Sequence, residues 1–355
     1  MYKLTRLKVA LCGGVVEVRS RAPLRLGLAG GGTDLRSYSD QFGGAVVNAT
    51  ISRYVNVRIT TRDDGKVCFK SYDTKQEELI DCTDNVSSSD MPLFSASYRR
   101  MMELGGIKDG IPLTIESVSD SPVGSGLGTS STLTVTLLKG LSELINLPID
   151  NYSLAELAFR VEREDCGFSG GLQDQFAASF GGFNHLIFHK NRKVSIRPIP
   201  IASGFRNVLE SQMLLYFSGR SRDSSSIIDS QNSNIANSRI ATLESMHGIK
   251  SSVQEVKDAL IRGNLELLSE SIRKGWEEKK RTSNEITNPH IDKVLEELSN
   301  LGCYCSKVSG AGGGGFIFFI LPLENRNSAI EKLESFGGFT GGCRFVQKGA
   351  ESWRE

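Results

Sequence analysis

Apolar and polar positions change period several times along the chain, and each change marks an element. Residues 15–20 read as a strand that runs into a glycine-rich turn at 27–34. Ala45–Thr61 (AVVNATISRYVNVRITT) is dense in β-branched residues, as a long strand requires. Lys66–Ser71 is expected to pair with it across the Asp63-Asp64-Gly65 turn. Leu93–Leu104 fits a helix closed by Gly105-Gly106, and Pro112–Ser119 alternates as a half-buried strand does. A glycine- and serine-rich loop over 121–132 leads into an apolar helix, Leu133–Leu144. The next helix is expected over 152–165, with Ser153 as its cap and Glu156 three residues on. Strands follow at 182–189, 193–198 and 207–217, then three or four helices over 223–301, punctuated by Gly248, Gly263 and Pro289. The end reads strand (303–309), glycine loop (310–315), strand (316–321), helix (324–336), strand (343–347). A β-rich first half and a helical run followed by β-β-α-β make an α+β layout. It divides into domains at 15–205 and 206–350, in keeping with a length of 355 residues.

Composition changes this picture at one point. With 39% hydrophobic and 23% charged residues, the chain is of ordinary globular make-up. Lys+Arg is 42 against 41 for Asp+Glu, so a polybasic nucleic-acid grip is not expected. No run approaches the about 20 apolar residues of a membrane span; Phe316–Leu323 is broken by Pro322. The start faintly resembles a secretion signal, but Gly13-Gly14 weaken its apolar stretch, so a cytoplasmic location is expected. A fold beginning near Val15, after a misassigned start codon, fits the same pattern. The seven scattered cysteines, with no CxxC pair, read as reduced thiols. His185 and His189 have metal-ligand spacing only on a helix, and their surroundings are β-prone. The outlier is glycine, 37 residues gathered in clusters, which marks loops where backbone must approach something closely.

Three clusters stand out. Gly124-Ser125-Gly126-Leu127-Gly128-Thr129-Ser130-Ser131 lies between an expected strand and an expected helix. A helix N-terminus offers free N–H groups and partial positive charge, and glycines let phosphate come close. The loop has no lysine of the Walker A kind. Gly310–Gly315 matches GxGxxG, but the strand FIFFIL follows where a dinucleotide fingerprint needs a helix. An arch that closes over a ligand is the better reading. The first cluster, Arg21–Asp34, carries Arg25 and Asp34 and is weak by itself.

These clusters, in this order, resemble the motifs of the GHMP kinase superfamily: APLRLGLAGGGTD, then Pro122–Ser131, then KVSGAGGGG at 307–315. Val161–Glu164 with Gly171–Gln175 is similar to the galactokinase stretch that holds a magnesium-binding Glu and the catalytic Asp. The resemblance implies a ribosomal-S5-like N-terminal domain, a ferredoxin-like C-terminal domain, and an ATP- and Mg²⁺-dependent small-molecule kinase. Where galactokinases have Gly-Glu-His-Thr-Asp, this chain has Gly30-Gly31-Gly32-Thr33-Asp34, so galactokinase activity is not implied. Residues 24–57 resemble the heptose 7-phosphate kinases, which phosphorylate the anomeric hydroxyl of D-glycero-D-manno-heptose 7-phosphate; fucokinase-like sugar 1-kinases are the alternative.

By that resemblance Asp174 is the general base, and Arg25 stabilises the transferring phosphoryl charge or lowers the Asp174 pKa. Residues 124–131 cradle the ATP phosphates. Ser130 and Glu162 hold Mg²⁺, with Glu164 as fallback. Gly31, Gly32, Thr33 and Asp34 face the sugar, and Gly312 and Gly313 shape the floor. A distal phosphate on the sugar calls for cations. Arg220 and Arg222 are the first candidates, and Lys279, Lys280 and Arg281 the next. The partners implied are a sugar phosphate and ATP, with neither nucleic acid nor membrane, in a monomer or homodimer.

Overall fold

The first strand, β1 (Glu17–Ala29), runs well past the alternating stretch at 15–20. Burial alternates at first, but from Ala22 onward every position is buried, which erases the period-2 signal. The computed structural model describes residues 14–82, 86–219, 224–236 and 240–355. β1 pairs antiparallel with β2 (Gly44–Thr61). Pro23 has no N–H for that ladder, and the register shifts between Pro23 and Arg25. The Arg25 N–H donates instead to the Leu127 carbonyl oxygen at 3.1 Å, which ties the strand to the second glycine cluster.

Lys66–Ser71 (β3) does not pair with β2. β5 (Leu113–Ser119) lies between them, antiparallel to β2 and parallel to β3. Its Leu113, Ile115 and Ser117 are buried, which suits an interior strand, and the polar β4 (Gln76–Asp81) takes the edge. β6 (Phe183–Phe188) pairs with the first half of β2 and with β7 (Val194–Pro198).

A second sheet has the order β11 (Phe339–Gly342), β8 (Met213–Phe217), β10 (Phe316–Ile320), β9 (Cys305–Val308), antiparallel throughout. The strand expected over 207–217 is only β8. Ser203–Gln212 is a helix, whose Phe205 and Leu209 pack inward at i, i+4 spacing. The strand expected at 343–347 is also displaced. Phe345 makes a single bridge with Ile51, and the chain returns to the first sheet, where β12 (Glu351–Arg354) pairs with β1.

The remaining helices are α1 (Arg36–Phe42), α2 (Pro92–Gly105), α3 (Thr129–Leu144), α4 (Asn151–Arg160), α5 (Gln173–Phe180), α6 (the Ser203–Gln212 segment), α7 (Ser224–Ala236), α8 (Ile240–Arg262), α9 (Leu265–Lys280), α10 (Pro289–Asn300) and α11 (Arg326–Glu334). Gly248 sits inside α8 rather than ending it. α4 is capped by Asp150, which accepts from the Tyr152 and Ser153 N–H groups at 2.9 and 3.0 Å, so Ser153 belongs to its first turn.

Two large cores result. One packs α2 and α3 on the first sheet through Val57, Phe69, Met101 and Leu138. The other joins both sheets to α8 and α9 through Leu24, Val47, Leu215, Phe318, Val256 and Ile272. The functional site lies where the glycine clusters meet at the edge of this second core. Among the described residues, no helix is long and apolar enough to cross a membrane.

Candidate active site

The second glycine cluster alternates left-handed glycines, with φ of +74° at Gly124, +80° at Gly126 and +78° at Gly128. L-residues with a Cβ rarely hold that backbone. α3 starts directly after, four residues before the apolar stretch suggests. Two hydroxyls of this helix are satisfied within it: Thr132 donates to the Gly128 carbonyl at 2.9 Å and Thr136 to that of Thr132 at 2.6 Å. The free N–H groups of this helix start face a cavity of about 880 Å³.

The third cluster braces the second from behind. The Phe316 N–H donates to the Ser125 carbonyl at 2.8 Å, and the Ser309 hydroxyl to that of Gly126 at 3.0 Å. A Cβ on Gly126 would press into the Ser309 carbonyl oxygen. Gly310 and Ala311 reach the cavity wall. Gly312 and Gly313 do not: the Gly313 N–H donates to the Ile286 carbonyl at 2.7 Å, and its own carbonyl accepts from Asn288 at 3.0 Å. The loop is therefore turned toward the segment before α10 at these two positions.

Arg25 is buried beneath the loop. Its guanidinium grips Asp174 with two hydrogen bonds, at 2.6 and 2.7 Å, and donates to the Gly126 carbonyl at 2.6 Å. This fork fixes the carboxylate in one orientation at the cavity wall. Asp174 stands in the first turn of α5, and Gly128 makes room for it: a Cβ there would lie 3.0 Å from its Oδ2.

Asp34 is buried at the neighbouring wall. It accepts from the Gly32 N–H at 3.0 Å and from the Gln173 N–H and side-chain amide, both at 3.2 Å. Burial, then the Asp174 charge, raises its pKa, and the Gly32 and Gln173 N–H groups oppose the rise. Gly31 and Thr33 stand behind the wall. Thr33 is buried, with its hydroxyl 2.8 Å from the Ala45 carbonyl. Leu127 belongs to the core.

After α4 the chain makes one π turn, Val161–Asp165, closed by the Cys166 N–H on the Val161 carbonyl at 3.0 Å. It turns Glu162 fully inward and leaves Glu164 exposed. Glu162 accepts from the Ser130 hydroxyl at 3.1 Å and from the Gln175 amide, while Arg163 approaches to 3.9 Å. A hydroxyl and a buried carboxylate facing the phosphate loop are hard oxygen donors, which fits a magnesium ion sharing its shell with phosphates and water.

Of the described basic residues weighed for a distal phosphate, Lys279 alone is brought to the cavity. Lys280 and Arg281 pair with Glu277 and Glu278 on the helix surface, at 2.8 and 3.0 Å. Arg220 and Arg222 lie outside the described residues. Sequence reasoning missed Gln173 and Gln175, which orient Asp34 and Glu162, and Lys307, whose ammonium donates to the Gly27 carbonyl at 2.6 Å. A lysine opening KVSGAGGGG was the available signal for the last.

A glycine cradle at a helix start, a carboxylate clamped by arginine, and a buried carboxylate with a hydroxyl define a small-molecule phosphotransferase. The chain belongs to the GHMP kinases, a family of ATP-dependent kinases: residues 93–182 match the GHMP kinases N terminal domain and 256–338 the GHMP kinases C terminal. It is 36% identical over 338 residues to the D-glycero-alpha-D-manno-heptose 7-phosphate kinase of Campylobacter jejuni, covering 95% of this chain and 99% of that one. It is similar to the crystal structure of a D-glycero-D-manno-heptose 1-phosphate kinase from Bacteroides thetaiotaomicron, with TM-score 0.80, 33% identity, and 95% and 98% of the two chains covered. An L-fucokinase/L-fucose-1-P guanylyltransferase of Bacteroides fragilis is 25% identical over 358 residues, 93% of this chain and 37% of that one.

Proposed function

We propose that this chain transfers the γ-phosphoryl group of ATP to the anomeric C1 hydroxyl of D-glycero-D-manno-heptose 7-phosphate, giving the 1,7-bisphosphate in nucleotide-heptose synthesis. The observation that carries this is near-full-length similarity to a heptose 7-phosphate kinase, with Asp34, Arg25 and Asp174 gathered in one cavity. In the reaction the C1 oxygen attacks the γ-phosphorus, the bond to the bridging oxygen of ADP breaks, and the hydroxyl proton passes to Asp174. Both Asp174 oxygens are engaged by Arg25, yet each keeps a lone pair for that proton. An anomeric hydroxyl is more acidic than an ordinary alcohol, so a carboxylate suffices as base. Asp34, held by three N–H donors, orients the sugar hydroxyls.

The residues assigned to magnesium are Ser130 and Glu162; the ion, when bound, neutralises charge on the phosphates. Glu162→Gln is expected to raise the Mg²⁺ concentration for half-maximal rate at least about tenfold, as loss of one charge-assisted contact predicts, with sugar KM little changed. Direct Mg²⁺ titration of ATP binding checks this without turnover. An unchanged requirement removes Glu162 from the metal site. ATP supply and six free cysteines among the described residues support a cytoplasmic setting.

The two relatives' names differ in the phosphate they specify, so the substrate needs its own test. In a coupled ADP assay, heptose 7-phosphate should exceed unphosphorylated heptose in kcat/KM by at least about tenfold, the value of one charge-assisted hydrogen bond. Mannose, L-fucose and galactose complete the panel, and ³¹P NMR of the product locates the new phosphate at C1. Equal use of the unphosphorylated sugar would discard the heptose-phosphate assignment in favour of a fucokinase-like one.

A further inference from the structure

Three consecutive basic residues end α9 and enter the turn after it, and they are treated differently. Lys280 and Arg281 lie against glutamates of their own helix. Lys279 points the other way and is 3% exposed. Its ammonium donates to the Gly310 carbonyl at 2.8 Å and approaches the Gly31 carbonyl at 3.5 Å. It thereby spans the first and third glycine clusters at the wall of the cavity. Among the described residues no carboxylate lies within 4.0 Å of it. An ammonium has three hydrogens, and two are accounted for.

A buried cation without an ionic partner is costly, unless something that binds there supplies the opposite charge. Gly310, which Lys279 holds, packs directly on Gly126 of the phosphate loop. We propose that Lys279 is a catalytic residue, donating its remaining hydrogen to the transferring phosphoryl group. The proposal rests on the reading of this cavity as a phosphotransfer site and not on which sugar accepts. It adds a cation from the C-terminal half of the chain to Arg25 from the first strand. Charge then gathers around the phosphoryl group, where its equatorial oxygens carry most of the transition-state charge.

The surroundings give the ammonium a distinct titration. Burial pulls its pKa down to about 8; Asp34 and Asp174 act upward and Arg25 downward. Lys307, the other group facing it, is itself held well below the ordinary lysine range by burial, Lys279 and Arg25. The working form is the protonated one. The free enzyme should lose that form as pH rises through about 8, so kcat/KM should fall there. A bound phosphate anion raises the pKa, so kcat should fall at higher pH than kcat/KM.

The test uses the full chain with Mg-ATP and the best acceptor of the sugar panel. Lys279→Met is expected to lower kcat at least about 100-fold, the order that one phosphoryl-stabilising donor supplies, while sugar KM moves less than about threefold. Lys279→Arg should keep part of the rate and lose the fall near pH 8, because a guanidinium stays charged there. A purely structural lysine would not move the pH profile in that way. Calorimetry of ATP against ADP needs no acceptor: wild type should lose ATP affinity more than ADP affinity between about pH 7 and 9.5, and Lys279→Arg should not. A wrong sugar assignment leaves that binding result standing. A Lys279→Met enzyme within threefold of wild-type kcat, or a Lys279→Arg enzyme that keeps the alkaline fall, overturns the proposal.

Discussion

Asp174→Asn is expected to reduce kcat by about 10²–10⁴, the usual cost of losing a general base. The amide keeps the shape but places an NH2 donor where Arg25 needs an acceptor. Two donors then face each other in a pocket where Arg25 is 5% exposed. Breaking one partner of a buried pair costs about 3–5 kcal/mol; the Asp174 side chain is 21% exposed, so the lower end applies. Both losses should appear together: a lower Tm and a lower kcat, with ADP affinity nearly unchanged, since the proposed base acts on the acceptor hydroxyl. Arg25→Met combined with Asp174→Asn should recover stability relative to Asp174→Asn and recover no rate. An Asp174→Asn enzyme with near-wild-type turnover would remove the base assignment.

Gly126→Ala should be nearly as damaging, for a steric reason. The residue has φ +80°, and its Cβ would meet the Ser309 carbonyl oxygen, a backbone atom that cannot swing aside. Gly65→Ala is the control: φ is +74°, with nothing within 4 Å. Both carry the left-handed penalty of roughly 1–2 kcal/mol. Only Gly126→Ala also forces the second and third glycine clusters apart. ATP affinity should fall at least about tenfold in Gly126→Ala and stay unchanged in Gly65→Ala, as calorimetry can read. Equal behaviour of the two variants would mean that the contact with Ser309 does not hold the phosphate loop.

Much of the site could be read in the sequence because its chemistry is local. A left-handed glycine, a hydroxyl on a helix start and an acidic residue after a glycine run keep their meaning wherever the segment is placed. Strand pairing was less legible. The Asp63-Asp64-Gly65 turn looks the same whether the next strand pairs beside β2 or two places away, and only β5, about 50 residues later, decides it. Residues 207–212 read as the start of a strand but are helical, because their apolar residues suit either period over so short a run. Glu162 against Glu164 is a different case. The choice depends on a π turn, whose extra residue per turn has no compositional signature. Lys279 could not be separated from Lys280 and Arg281 by type; only the direction of α9 distinguishes them.

The return of the chain to its starting sheet has a consequence for how the protein is made. β1 leaves the ribosome more than 300 residues before its edge partner, Glu351–Arg354, and Val18 pairs with Arg354. Residues so far apart in sequence close their contact late and slowly. Until β12 has emerged, the outer edge of β1 waits as an open template for any other strand. A nascent chain stalled near residue 205 is therefore a sticky intermediate, not a finished half-enzyme. Splitting the gene near residue 205 would make that state permanent, since the N-terminal piece would lack both β12 and the Ile51–Phe345 bridge.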